Sequence, residues 1–238
     1  MIPTIARLTF ATLFGHRRGL LLFILPGVLL GLAILLRLTV DDTSNVSANL
    51  LQQLGLAVIL PLVALIAGTG AIATEIDDGS IVYLLSKPIR RYTIVLVKAL
   101  VAIGCIFVLG VLPIVLAGLI LDPAGFKIAV AFGVGGLVAG VTYTAIFIAL
   151  SVMTGNAVTI GLLYALLWES VMGQHVNGAK VLSVQQWALA VVAKVADGNG
   201  IESAVKLPIS LILLALVTLI GLSLAVSRLR SLTLSSAE

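Results

Sequence analysis

The sequence predicts an all-α, polytopic membrane protein with six transmembrane helices, and three observations carry that reading. Of 238 residues, 61% are hydrophobic and only 10% charged, against about 25% charged in ordinary soluble chains, so the chain has too little polar surface to clothe a water-soluble fold. The apolar residues gather in six runs, at 19–36, 50–73, 94–121, 128–152, 157–172 and 207–226, most of them near the roughly 20 residues that cross a hydrocarbon core. No hydrophilic block between them is long enough to fold separately, so residues 1–238 are expected to form a single transmembrane domain.

Residues 2–18 mix Ile5, Leu8, Phe10, Leu13 and Phe14 with Arg7, His16, Arg17 and Arg18, a pattern suited to a helix lying in the membrane interface. The first apolar run follows without a small-residue cleavage site before Arg37, so it is expected to stay as a span rather than leave as a signal peptide. Pro26, Pro61 and Pro113 lie inside the first three runs. Each removes a backbone donor and marks a bending point. The polar residues 37–49 read as a loop, in which Asn45-Val46-Ser47 fits a glycosylation acceptor. Asp122-Pro123 ends the third run, and Thr154-Gly155-Asn156 makes a tight connection before the short fifth one.

The fourth run carries Gly136 and Gly140 at a small-xxx-small spacing that lets helices approach closely, either within the chain or between subunits. Residues 173–206 form the longest connection. Within it, 184–195 is apolar enough to enter the membrane partway, with Trp187 suited to an interface. A re-entrant or interfacial helical hairpin between spans five and six is the expected result. Cys105, the only cysteine, lies inside an apolar run and reads as a small core residue.

Six spans place both termini on one side, and the distribution of basic residues chooses it. Arg7, Arg17, Arg18, Lys87, Arg90, Arg91, Lys98, Arg228 and Arg230 fall on the side of the termini, against Arg37, Lys127, Lys180, Lys194 and Lys206 on the other. Nine against five, clustered at span ends, puts the termini in the cytoplasm. The net charge of +4 then follows from membrane topology. With no aromatic-interleaved basic patch, it gives no sign of a nucleic-acid partner.

The stretch 74–98 is a long polar interruption with an ordered set of charges. Glu75, Asp77 and Asp78 precede Gly79 and Ser80; Ile81, Val82, Tyr83, Leu84 and Leu85 form an apolar patch; Ser86-Lys87-Pro88 breaks it, and Arg90, Arg91 and Lys98 close it. Asp77, Asp78 and Ser80 are able to cap a helix N-terminus. Pro88 cannot continue that helix and suits the first turn of the next. A short helix over about 80–86 is expected, and an apolar patch bounded by charges marks a docking surface.

These residues resemble the cytoplasmic segment of type-2 ABC transporter permeases: an acid (Glu75), a Gly-Ser pair (Gly79, Ser80), a Leu-Leu-Ser-x-Pro run (Leu84, Leu85, Ser86, Pro88), a basic residue (Arg91) and a Lys entering the next span (Lys98). The wording is similar to that of permeases linked to multicopper-enzyme maturation. The resemblance implies a coupling helix, with Glu75, Asp78, Gly79, Ser80, Ile81, Tyr83, Leu84, Leu85, Pro88, Arg91 and Lys98 at its core. It also implies two copies of a cytoplasmic ATPase holding ATP and Mg, a second permease subunit, identical or not, and surrounding membrane lipid. The implied function is a permease subunit of an ATP-driven exporter in the cytoplasmic (inner) membrane, taking a hydrophobic or amphipathic substrate. A membrane assembly factor built on the same fold, and an ATP-independent transporter or channel, are the alternatives.

The chain itself lacks the parts of an enzyme. It has no GxxxxGK[ST], HExxH, CxxC or GxSxG pattern, so no cofactor is expected on it and any ATP hydrolysis belongs to a partner. His16 and His175 fall on opposite sides of the expected membrane. Glu169 is an ionisable residue in an apolar run, which makes it a substrate-site candidate. Its place near the outer end of the fifth run, beside Trp168 and Gln174, predicts access to water, and Glu169→Gln is then expected to have a modest effect. Lys98 is placed to pair with Glu75 or to extend to the cytoplasmic surface.

Overall fold

The computed structural model describes residues 9, 17–40, 44–77, 91–173, 176–197 and 201–235. Every regular element among them is a helix. In chain order α1 is Arg17–Thr39, α2 covers 44–77, α3 is Arg91–Leu121, α4 Phe126–Met153, α5 Ala157–Met172, α6 the single turn Asn177–Lys180, α7 Val184–Val195 and α8 Leu207–Ser235. Five of these, α1, α2, α3, α4 and α8, are long and apolar enough to cross a membrane; α5 is apolar but shorter. The expected interfacial helix at 2–18 falls almost wholly outside the described residues, as do His16 and His175.

Two sequence readings are corrected at the first connection. The expected loop 37–49 is much shorter, because α1 continues to Thr39 and α2 begins at Ser44. Asn45-Val46-Ser47 therefore lies in a helix with Ser47 buried, a poor acceptor. Two of the three prolines follow a local change of helix form, whereas Pro26 lies inside the α-helical α1. A π-helical segment, Leu51–Ile59, runs up to Pro61, and another, Phe107–Val111, runs up to Pro113. A widened turn relieves the clash of the proline ring with the preceding turn. The carbonyl of Ala57, four residues before Pro61, accepts the Ser170 hydroxyl at 2.9 Å.

α4 is the centre of the bundle, packed against α2, α3, α5, α7 and α8. Its glycines make this possible. A Cβ at Gly135 would collide with Val192 and lie 3.2 Å from the Ala188 carbonyl, while one at Gly221 on α8 would lie 2.9 Å from the Ala145 carbonyl. Gly136 and Gly140 face Leu56, Ile114 and Ile106, so their close approaches are made within the chain.

The register of these contacts fixes direction. The Thr142 and Thr218 hydroxyls meet at 3.1 Å and Gly221 covers Ala145, so α4 and α8 run the same way. α7 runs opposite to α4 along its first half: Asp197, just beyond α7, pairs with Lys127, Ala188 and Val192 meet Gly135, and Gln185 lies beside Tyr143. α5 covers the other half, since Gly161 and Tyr164 face Phe147. At about 1.5 Å per residue, α5 spans about 24 Å and α7 about 18 Å of a helix about 42 Å long. Two short helices thus line α4 end to end, and they meet at Glu169.

α7 packs inside the bundle instead of lying exposed on it. Its residues from Val184 to Val192 are buried, Trp187 included, and the Trp187 indole N–H donates to the Val181 carbonyl at 2.7 Å. At the far end of α7, Lys127 hydrogen-bonds the exposed Asp197 and holds its carboxyl below the usual carboxylate range.

Candidate functional site

Two polar constellations interrupt the apolar bundle, one at each end of the argument from sequence. The first joins α2 and α3 where they approach residues 78–90. Lys98, fully buried on α3, places its Nζ 2.6 Å from Glu75 Oε1 and 2.5 Å from the Ala71 carbonyl, both on α2. Of the two expectations for Lys98, the ion pair is the one observed. A little under two turns before it, Arg91 donates from Nη1 to the Leu229 carbonyl at 2.9 Å, tying the start of α3 to the last helix.

The remaining residues singled out in this stretch, Asp78, Gly79, Ser80, Ile81, Tyr83, Leu84, Leu85 and Pro88, lie outside the described residues. What is on view is the frame from which that segment emerges. One end leaves α2 just after Glu75, the other enters α3 at Arg91, and both ends are fastened by charged side chains to buried backbone or to each other. A lysine ammonium needs acceptors wherever water cannot reach it, and Glu75 with Ala71 supplies them.

The second constellation surrounds Glu169 and corrects the sequence reading. The side chain is completely buried. Its Oε1 accepts from the Tyr164 hydroxyl at 2.7 Å and the Val184 amide at 3.1 Å; its Oε2 accepts from the Ser183 hydroxyl at 2.7 Å and the Gln185 amide at 3.2 Å. All four partners donate, which is the setting of an ionised carboxylate. Two of them are the first backbone N–H groups of α7, so the negative charge also sits at the positive end of that helix dipole. Ser183 caps the same helix, accepting from the Gln186 amide at 3.4 Å.

The surroundings extend the network. The Gln185 side-chain amide, buried, donates to the Gln52 carbonyl on α2 at 3.1 Å, and Gln186 Nε2 donates to the Gly173 carbonyl at 3.4 Å. Tyr143 on α4 sets its buried hydroxyl beside the Glu169 carboxylate and the Gln185 backbone without completing a hydrogen bond. Its ring stacks on Phe147, which meets Tyr164 edge-on, each pair with centroids 6.2 Å apart. Glu169 therefore fastens α5 to the start of α7, beside α4, and Gln185 and Ser170 extend the joint to α2.

Sequence reasoning missed Tyr143, Tyr164, Ser183 and Gln185. Ser183 was within reach, since a serine directly before an apolar helical run is a capping signal. Tyr164 was not. It stands five residues from Glu169, a spacing that an α-helix turns about 140° apart, and only the π-helical form of Tyr164–Met172 brings the two side chains together.

The class these features define is a multi-pass membrane protein, and comparison with known families makes it specific. The sequence model described as ABC-2 family transporter protein matches residues 4–236. The chain belongs to that family. A search of curated proteins finds no match to the chain.

Proposed function

We propose that this chain is the permease subunit of an ATP-driven exporter in the cytoplasmic membrane, paired with a second permease and driven by two copies of a separate ATPase that binds ATP and Mg. Membership of the ABC-2 transporter family over residues 4–236 is the observation that carries it. The segment 78–90 is the docking element for the ATPase, with Asp78, Gly79, Ser80, Ile81, Tyr83, Leu84, Leu85 and Pro88 forming it and Glu75, Lys98 and Arg91 fastening its two ends. A push on that segment then reaches α2 and α3 together through the Glu75–Lys98 pair and reaches α8 through Arg91. At the other constellation, α5 and α7 form one crossing in two pieces, bringing the count to six, and Glu169 serves as its joint. A hydrophobic or amphipathic substrate suits the apolar walls.

Two experiments test this reading. Tyr83→Asp and Leu84→Asp place a charge where an interface concentrates its energy in aromatic and aliphatic anchors. Each is expected to leave membrane insertion intact and to lower co-purification of the ATPase, or its stimulation by the permease, by about tenfold or more. Lys87→Ala, a rim charge, is expected to do far less. Parental ATPase binding in both aspartate variants would remove the docking assignment. Orientation is checked separately by single cysteines in a Cys105→Ser background. Asp41, Asp122 and Asp197 are expected to react with an impermeant reagent from outside, whereas labelling at Asp78 from that side would reverse the topology.

A further inference from the structure

Beside the joint between α5 and α7 lies an open cup of about 400 Å³, lined by Gln52, Gln53, Lys180, Gln186, Glu202, Ser203 and Ala204. Its size is at the low end of the roughly 300–1,000 Å³ typical of small-molecule sites. Its lining is unlike the apolar grooves elsewhere on the helices, which are walled by leucine and valine. Gln186 and Ser203 are committed to the protein, donating to the Gly173 and Val205 carbonyls. Lys180 and Glu202 are not: neither has an ion-pair partner among the described residues, although both border one cavity. The cup thus presents one cation and one anion that do not pair with each other, with Gln52 and Gln53 in the same lining.

We infer that this cup binds the zwitterionic headgroup of a phospholipid, with the Glu202 carboxylate taking a primary ammonium and Lys180, helped by the glutamine amides, taking the phosphate. Charge-assisted hydrogen bonds of this kind are the strong ones. An ethanolamine headgroup fits better than choline. A primary ammonium gives three donors to carboxylate and amide oxygens, whereas a quaternary ammonium is held by aromatic faces, and no aromatic side chain lines the cup.

A lipid is favoured over a free zwitterion by what borders Lys180. Val181 and Leu182 follow it in the chain and stand 46% and 59% exposed, and Val176 precedes it at 47%. Exposed aliphatic side chains next to a polar cup suit the boundary between headgroups and acyl chains.

The inference concerns the permease alone, so its failure and that of the ATPase reading are separable. Detergent-purified protein is titrated with short-chain phosphatidylethanolamine, phosphatidylcholine and phosphatidylglycerol, and with glycerophosphoethanolamine as the free headgroup, and binding is followed by native mass spectrometry. Phosphatidylethanolamine is expected to bind about tenfold or more tighter than the other three. Glu202→Gln and Lys180→Met are each expected to weaken it by about tenfold, with unchanged thermal unfolding because both residues border open space. Equal binding of the three lipids, or parental affinity in both variants, overturns the site. Free headgroup binding as tightly as the lipid overturns the lipid assignment.

Discussion

Replacing Glu169 with alanine is expected to lower the stability of the folded bundle by roughly 3 kcal/mol or more, because several buried donors lose their acceptor at once. The carboxylate is fully buried and accepts from Tyr164, Ser183, Val184 and Gln185. Without it, two backbone N–H groups and two hydroxyls lose their acceptor where water does not readily replace it, and each unsatisfied donor costs about 1–3 kcal/mol. Glu169→Gln is expected to fall between parent and alanine. Its amide keeps one acceptor oxygen, but its NH2 opposes donors on the other side.

The measurement is thermal unfolding of the purified protein in detergent, combined with a double-mutant cycle. Ser183→Ala removes both a donor to Glu169 and the cap of α7, and is expected to cost about 1–2 kcal/mol by itself. In the presence of Glu169→Ala it is expected to cost clearly less, because the two residues share one network. Strict additivity would show that Glu169 and Ser183 act separately. An unfolding curve for Glu169→Ala that overlays the parent's would remove the joint altogether.

This outcome reverses the one expected from sequence, and the reason is instructive. The apolar runs located the apolar parts of the long helices to within a few residues, because burial in a membrane depends on composition over a window and little else, although α8 continues to Ser235, well past the run ending at 226. α5 followed the same rule and was placed correctly at Ala157–Met172. Its environment was not legible. Whether Glu169 meets water depends on what continues the line of α5, and that is α7, a helix separated from it by Gly173–Ser183 and oriented by contacts with α4. The acid looked peripheral because the chain appeared to leave the membrane after Met172. In the fold, a second helix begins at that point and offers its N-terminus to the carboxylate.

At the other constellation the sequence said more. Glu75 and Lys98 were singled out from charge order and spacing, and their pairing is an inter-helix contact between chain neighbours joined by one short segment. Such contacts are the easiest to anticipate. The Ala71 carbonyl was not anticipated, since nothing in a sequence shows which backbone acceptor a buried ammonium will reach. It changes how the pair is best tested. Exchanging the two charges would set a carboxylate at residue 98 against the Ala71 carbonyl oxygen, so the swap is expected to recover only part of what either reversal loses.

Neutral substitutions avoid that conflict and give the sharper result. Lys98→Met keeps the length of the side chain and removes the charge, leaving Glu75 without its ammonium 2.6 Å away. Breaking a buried pair costs about 3–5 kcal/mol, and the lower end applies here because the Glu75 side chain is 17% exposed and retains some hydration. Lys98 gains no such relief in Glu75→Gln, being fully buried, although the glutamine oxygen still offers an acceptor. Each single variant is therefore expected to be less stable than the parent, Lys98→Met by about 3 kcal/mol. The double variant Glu75→Gln, Lys98→Met is expected to be more stable than Lys98→Met alone, since it buries no unmatched charge. If the pair also carries motion from the docking segment into α2 and α3, the double variant will fold and bind the ATPase yet stimulate it poorly. Parental stimulation in that variant would reduce the Glu75–Lys98 contact to a structural clamp, and a double variant no more stable than Lys98→Met would show that the two residues do not depend on each other.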